Sequence, residues 1–256
     1  MSSELRSIVN IAYRDIARFW RYKYWLAGQV AMNLADILIF GLIFNGVVNK
    51  DLIPDYVRFV TPGILCLSIF ISSFSIGREV GVELRREVTQ YLLTLPVRRE
   101  GLIIGRLLGG AARGLVYQFG FLVFASIILS PPSLEGWVYV LATSSTLALT
   151  MSSVSISLST VTRDFNLQAT VRSLTYYILF FVSNIFYPQK VIAARLGPLA
   201  PVVDYSPLTM ATNIYRWAFR YDASINPWGN FAGLGAWSLV IVALAYKLYI
   251  RNLLRD

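Results

Sequence analysis

The sequence contains no histidine, one cysteine and four lysines among its 256 residues. Without histidine, it lacks the commonest metal ligand and the commonest general base at neutral pH. The single cysteine, Cys66, cannot form an intrachain disulfide. No lysine follows a glycine, so the phosphate-binding loop G-x-x-x-x-G-K-[ST] is absent. The sequence therefore predicts neither a metal site nor an enzyme. If the protein moves a solute uphill, the energy must come from a partner chain or an ion gradient.

Long apolar segments dominate what is present. Hydrophobic residues make up 56% of the chain, and the mean hydropathy is +0.57, as in integral membrane proteins. A helix needs about 20 apolar residues to cross a bilayer, and six segments approach or exceed that length: residues 25–48, 59–77, 102–129, 138–161, 173–189 and 231–246. We expect an all-α membrane protein with six transmembrane helices, forming one domain over residues 1–256.

The arginines and lysines indicate the topology. Fourteen lie in segments on one side of the six predicted spans, six on the other side and three inside spans. The positive-inside rule then places both termini in the cytoplasm. Because the basic residues follow membrane topology, the net charge of +9 does not indicate nucleic-acid binding.

Residues 1–24 form a basic segment with helical spacing of apolar residues. The apolar positions are Leu5, Ile8, Val9, Ala12, Ile16, Phe19 and Trp20. Four arginines (Arg6, Arg14, Arg18 and Arg21) lie largely off that stripe. This pattern predicts a helix in the membrane interface with its arginines towards lipid phosphates. The alternative is an ordinary soluble amphipathic helix.

Residues 78–101 form the main cytoplasmic loop. Apolar residues at Leu84, Val88, Tyr91, Leu92 and Leu95 share one face of a helix that Pro96 would end. Dense mixed charge covers the other face, which favours docking into a groove of another protein. The alternative is a helix that lies on the membrane, although its acidic residues suit an anionic lipid surface poorly.

This loop carries a family resemblance. The run from Glu83 to Arg99, including Leu95-Pro96-Val97-Arg98-Arg99, and then Gly105-Arg106-Leu107-Leu108 resemble the loop after the second span of type-2 ABC exporter permeases. That family shows R-E-x-G-T-x-x-x-L-x-x-x-P-V-x-R here, and Val88-Thr89 replaces its Gly-Thr pair.

A second resemblance lies in residues 188–228. Phe186-Tyr187-Pro188 resembles the family's aromatic-proline pair, and Ser206-Pro207-Leu208-Thr209 with Arg216 resembles its N-P-L-T-Y motif and following arginine. Ser206 is a good N-cap, and Pro207 suits the first turn of a helix. The resemblance implies short re-entrant or interfacial helices under the external leaflet before the last span. It also implies that residues 1–24 are the family's elbow helix.

The resemblance implies a permease that works with a separate ATPase, which would hold the ATP and Mg²⁺; this chain would carry no cofactor. Two permease copies, identical or related, would form the pathway in a plasma membrane, and the separate ATPase indicates a prokaryote. The helix Glu83–Leu95 would be the coupling helix, with ATPase contacts at Glu83, Arg86, Glu87, Gln90 and Tyr91. The second and fifth spans would line the pathway with Phe70, Ser73, Phe74, Tyr177, Phe181 and Asn184. The alternative for those residues is ordinary helix packing.

Charged residues inside spans need partners or water. Asp36 lies in the first predicted span, and Arg106 and Arg113 lie seven residues apart in the third. An Asp36–Arg113 ion pair that locks two helices is one interpretation. A gating or proton-coupling role for Asp36, or a lumen-facing Asp36 without a specific role, are others. Arg106 could also extend to the cytoplasmic edge.

The function that these patterns favour is ATP-driven export of hydrophobic or amphipathic compounds such as drugs or lipids. The alternatives are export of a lipid-linked polysaccharide and a membrane scaffold or sensor that transports nothing. Asp36 is the one acidic residue predicted well inside a span, which favours an external energy source over proton coupling.

Overall fold

The computed structural model describes residues 3–21, 53–86, 88–94, 98–161 and 164–253 continuously, with isolated positions between 22 and 52. Within these ranges short non-helical segments connect the regular elements, all of which are helices. They are α1 (Ser3–Arg21), α2 (Tyr56–Phe74), α3 (Ile76–Arg85), α4 (Val88–Leu93), α5 (Arg99–Ile128), α6 (Leu134–Val161), α7 (Phe165–Phe181), α8 (Gln189–Leu196), α9 (Ala200–Asp204), α10 (Pro207–Ala218) and α11 (Pro227–Leu253), with a 3₁₀ turn at Gly197–Leu199 between α8 and α9.

Four described stretches are long and apolar enough to cross a membrane. They are Tyr56–Arg85 (α2 and α3 together), Arg99–Ile128, Leu134–Val161 and Pro227–Asn252. The fifth predicted span corresponds to α7, which at 17 residues ends before the predicted boundary. The first predicted span lies outside the continuously described residues, so the count of six stays a prediction.

Local sequence explains where several helices begin. The Asp55 and Asp164 carboxylates accept hydrogen bonds from the first turns of α2 (Arg58 N, 3.2 Å) and α7 (Leu167 N, 2.7 Å), which satisfies amides that have no helical partner. Pro207 occupies the first turn of α10, as expected. Ser206 lies at the N-cap position, but its side chain makes no capping hydrogen bond.

Helix α2 belongs to the most buried of the four long apolar stretches. It packs against α5, α6 and α10, and most of its side chains are buried. Serines of α6 hold the α2–α3 junction: Ser155 Oγ donates to Phe74 O, and Ser159 Oγ donates to Gly77 O at 2.6 Å. A Cβ at Gly77 would overlap Ser155, so the absence of a side chain there permits this close approach.

The loop at residues 78–101 differs from its prediction. The single helix Glu83–Leu95 is wrong, because α3 continues to Arg85, the chain turns at Arg86 (φ −91°, ψ 11°) and α4 is a separate short helix. A straight helix would carry Leu92 about 12 Å beyond Leu84. The turn instead lets Leu84, Leu92 and Leu93 all pack against one apolar cluster, while Tyr91 of the predicted apolar face is 67% exposed.

Candidate functional site

Helix α1 docks along α5 at two glycines. A Cβ at Gly105 would lie 2.8 Å from Ile11 Cβ, and one at Gly109 would lie 3.0 Å from Asp15 Cβ. Side chains there would push the helices apart, so the glycines permit the close contact. The docked face of α1 contains Ile11, Asp15 and Phe19, which are buried.

This docking corrects part of the interpretation of the N-terminal segment. Leu5, Val9 and Trp20 of the predicted apolar stripe are exposed, as is Tyr13, whereas Phe19 of the same stripe is buried against the rest of the chain. Arg14 and Arg18 make ion pairs with acidic residues of the chain itself rather than remaining free for lipid. Helix α1 therefore has three sectors: one packed on α5, one exposed and apolar, and one basic.

The side chains between α1, α3 and α5 form a cluster of seven ionisable groups, which we call the buried charge cluster. It contains four arginines and three carboxylates: Arg14, Asp15 and Arg18 of α1, Glu79 and Glu83 of α3, and Arg106 and Arg113 of α5.

The two arginines of α5 are the most deeply placed arginines of this cluster, since both are fully buried. Arg113 binds Glu79 through both terminal nitrogens, at 2.6 and 2.8 Å, and donates to the Asp15 backbone carbonyl. Arg106 binds Glu83 and lies 3.6 Å from the Asp15 carboxylate. Each buried guanidinium thus has a carboxylate partner, without which burial would be costly.

Glu83 connects all three helices. Its carboxylate contacts Arg106 of α5 and Arg18 of α1, and Arg14 lies at 3.4 Å. Burial opposes the charged form of Arg18, but the carboxylates of Glu83, Glu79 and Asp15 outweigh this effect and raise the pKa of Arg18. The cluster therefore holds α1, α3 and α5 together as one unit.

The structure gives partners for two of the three predicted intramembrane charges. Arg113 pairs with Glu79. Asp36 lies outside the described residues, so an Asp36–Arg113 ion pair stays a prediction. Arg106 is fully buried inside the chain and paired with Glu83 and Asp15. The sequence contained a signal for this arrangement. Glu79 and Glu83 lie one turn apart, as do Arg14 and Arg18, while Arg106 and Arg113 lie two turns apart, so each pair shares a helix face.

The predicted ATPase contacts are in different environments. Glu83 is 3% exposed and engaged inside the chain, so it offers no free carboxylate to a partner. Arg86 and Tyr91 are exposed near α4. Gln90 belongs to α4, but its side chain is not among the described groups, and Glu87 lies outside the described residues.

The predicted pathway residues also differ in their exposure. Phe70, Ser73 and Phe74 of α2 are buried within the chain. Phe70 stacks on Tyr176 with ring centroids 4.8 Å apart, which is helix packing, the alternative stated above. Tyr177 and Phe181 of α7 are 58% and 61% exposed, and they are the members of the set that a second molecule can reach.

Asn184, the remaining member, belongs to a buried non-helical segment after α7. Arg216 of α10 holds this segment by donating to the carbonyls of Asn184 (2.9 Å) and Ile185 (3.3 Å). Its guanidinium also lies 3.9 Å from the centre of the Phe59 ring. Burial lowers the pKa of Arg216 to about 10, so it stays protonated at neutral pH. These bonds satisfy buried carbonyls of a segment that has no helix of its own to pair them.

The described residues do not bring three or more histidine, cysteine, aspartate or glutamate side chains together as a metal site. The acidic groups that do converge, Asp15, Glu79 and Glu83, are neutralised by arginines. The arrangement suits mechanical connection of helices and offers no acid–base pair for chemistry.

The sequence is similar to those of known membrane transport proteins. A family model described as ABC-2 type transporter matches residues 6–219. The daunorubicin resistance ABC transporter permease protein DrrB1 of Streptomyces coeruleorubidus is 24% identical over 207 residues, which cover 80% of this chain and 71% of that protein. The inner membrane transport permease YadH of Escherichia coli K12 is 25% identical over 204 residues, covering 77% of this chain and 78% of that protein.

Proposed function

This chain belongs to the ABC-2 type transporter family, and from that premise we propose that it is the permease of an ATP-driven exporter of amphipathic compounds. It is an integral plasma membrane protein and a transmembrane subunit of an ABC transporter, and ATP hydrolysis takes place on a separate subunit. The cargo class, the ATPase contacts, the dimer and the orientation are the parts proposed.

The observation that carries the proposal is the buried charge cluster. It joins α1 and α5 to α3, and α4 follows α3 after a single turn at Arg86. A force applied at α4 by an ATPase would therefore reach α1 and α5 together, since the ion pairs resist separation of the three helices. ATP binding that favours one state of the ATPase dimer would in this way bias the spans.

The contact with the ATPase is proposed for the exposed side of α4. Tyr91 is an exposed aromatic residue on a short helix whose Leu92 and Leu93 are packed inwards. Exposed tyrosines and arginines are frequent anchors in protein interfaces. We assign Arg86, Glu87, Gln90 and Tyr91 to this contact. Glu83 belongs to the buried charge cluster and not to this docking surface.

The pathway between two permease copies is proposed for α7. Its exposed surface contains two stripes on adjacent faces. One is apolar and suits lipid: Leu167, Val171, Leu174 and Ile178. The other is polar and aromatic: Asn166, Thr170, Ser173, Tyr177 and Phe181. Polar side chains in a span favour burial against protein or water over hydrocarbon. The second stripe therefore supports an α7 that faces a second copy and the cargo.

The cargo proposal rests on that stripe and on one relative's name. Aromatic rings interleaved with hydroxyl groups suit a ligand with apolar surface and a few polar groups. DrrB1 is named for daunorubicin resistance, which agrees with an amphipathic cargo. With both termini in the cytoplasm, as the positive-inside rule favours, α4 would face the ATPase and α8–α10 the opposite side. Helices α8–α10 would be the external re-entrant helices, and α1 would lie in the inner interface.

The proposal is tested by co-purifying the chain with the ABC ATPase encoded beside it and measuring ATP hydrolysis in proteoliposomes. We expect a stable complex whose hydrolysis rises or falls when daunorubicin or another amphipathic cation is added. Tyr91→Ala should weaken the complex, whereas Tyr13→Ala, also at an exposed tyrosine, should not. Failure to bind any ABC ATPase would overturn the proposal.

A further inference from the structure

A cavity of about 470 Å³ lies beside the buried charge cluster, between α1 and α3. Three arginines, Arg18, Arg78 and Arg86, line it together with Glu79. Phe19 and Val82 give it an apolar portion. The function proposed above uses Arg18, Glu79 and Arg86 of this lining but assigns no ligand to the cavity itself.

The charge of the cavity is unbalanced. Its single carboxylate, Glu79, is already bound to Arg113 at 2.6 Å. Arg78 and Arg86 are exposed and belong to none of the ion pairs found within the described ranges. Arg78 also lies within electrostatic range of Arg172 on α7, and the two repel. An anion would relieve this repulsion. Guanidinium groups bind phosphate oxygens well because their donors match the phosphate in geometry and charge.

The surroundings favour a lipid as the source of the phosphate. The exposed apolar sector of α1 (Leu5, Val9, Tyr13 and Trp20) adjoins its basic sector (Arg6, Arg14, Arg18 and Arg21). A helix with this arrangement lies at the boundary between headgroups and acyl chains. Arg18 and Phe19 belong both to α1 and to the cavity wall, so the cavity would open at the depth of the headgroups.

We infer that this cavity binds the headgroup phosphate of an anionic phospholipid, with Arg78 and Arg86 as its ligands and Phe19 and Val82 against the glycerol and first acyl carbons. The inference rests on the interfacial placement of α1 that the proposed function includes. A bound lipid would contact both α1 and α3 beside the turn at Arg86, and would therefore stabilise the packing of these two helices.

The test needs neither the ATPase nor transport. Its outcome therefore does not depend on whether the proposed transport function is correct. The purified chain is titrated in detergent with dioleoylphosphatidylglycerol, and bound lipid is counted by native mass spectrometry. We expect one tightly held lipid per chain and much weaker retention of zwitterionic dioleoylphosphatidylcholine. Arg78→Ala/Arg86→Ala should weaken binding at least roughly tenfold, as expected for the loss of one or two charged hydrogen bonds.

A matched control removes the same charge elsewhere. Arg99→Ala/Arg251→Ala changes two exposed arginines outside the cavity and should retain the lipid. Thermal stability measured without lipid should be similar in both variants, which verifies folding, and only the control should gain stability from phosphatidylglycerol. Equal retention of the two lipids, or equal losses in the two variants, would overturn the inference. Displacement of phosphatidylglycerol by equimolar glycerol 3-phosphate would assign a soluble phosphate compound instead and overturn the lipid assignment.

Discussion

Replacing Glu83 by glutamine tests the buried charge cluster most severely. The carboxylate of Glu83 contacts arginines from two other helices, and its own side chain is only 4% exposed. The cluster has four positive and three negative groups, a net charge of +1. Glu83→Gln leaves four against two, a net charge of +2, with Arg106 still fully buried.

The magnitude follows from the cost of leaving a buried charge without its partner, which is about 3–5 kcal/mol. Asp15 remains 3.6 Å from Arg106, and glutamine still accepts a hydrogen bond. We therefore expect the lower end, about 3 kcal/mol. For a chain of this size, about 2–4 °C of melting temperature per kcal/mol gives a fall of roughly 6–12 °C.

The assay is thermal unfolding in detergent at one fixed scan rate, with Glu100→Gln as control. Glu100 is exposed in the first turn of α5, and its loss should cost at most about 1 kcal/mol of helix-dipole interaction. Glu83→Met/Arg106→Met should recover stability relative to Glu83→Gln, because it removes the buried Arg106 charge together with its partner. In that variant Asp15 keeps Arg14 and Arg18 keeps Glu79. Equal melting temperatures for Glu83→Gln and Glu100→Gln would refute the reasoning.

Three further predictions concern other contacts. Gly105→Ala should destabilise the protein by about 1–3 kcal/mol in thermal unfolding, because the new Cβ would meet Ile11. Gly120→Ala on the same helix meets nothing within 4 Å and should be neutral or stabilising by up to about 1 kcal/mol; a similar loss in both variants would contradict the docking of α1. Arg216→Met should cost at least about 2 kcal/mol, since it leaves buried carbonyls without donors. Replacing the exposed Arg195 by methionine should cost under about 0.5 kcal/mol in the same melt, and equal costs would argue that the Arg216 hydrogen bonds do not stabilise the segment after α7. Tyr91→Ala should leave the melting temperature unchanged, since its ring is exposed, while reducing ATPase recovery in pull-downs; undiminished recovery would remove Tyr91 from the contact.

The helices with strong local signals could be predicted from the sequence. Hydropathy located the helices observed at Arg99–Ile128, Leu134–Val161 and Pro227–Leu253. Pro207 marked the start of α10, and the family motifs led to the correct family. These features depend on neighbours in sequence or on composition, which a single chain displays directly.

The break at Arg86 could not be predicted in the same way. The apolar spacing of residues 84–95 fits one helix, and nothing in it shows that Leu84 and Leu92 must reach the same cluster. That requirement arises from the positions of α5 and α11, whose Leu102, Leu107 and Tyr249 belong to the cluster. Tertiary packing therefore decided the local structure.

The partners of the buried arginines could not be predicted from neighbouring residues in the sequence either. Arg113 and Glu79 lie 34 residues apart, and Arg106 and Glu83 lie 23 apart. The heptad spacing of the arginines indicated a shared face, but only the docking of α1 at Gly105 and Gly109 brings Asp15 to it. Likewise, aromatic and serine content suggested that Phe70, Ser73 and Phe74 face a pathway, whereas burial separates them from the exposed Tyr177 and Phe181.

The most direct measurement of the central claim is ATP-driven movement of a fluorescent amphiphile in proteoliposomes that contain this chain and its ABC ATPase. Hydrolysis and transport are recorded in the same vesicles, for the wild type and for Tyr91→Ala. The account predicts ATP-dependent transport by the wild type, and from Tyr91→Ala a lower yield of transport for each ATP hydrolysed. Transport that is independent of ATP, or unchanged in yield when Tyr91 is replaced, would contradict it.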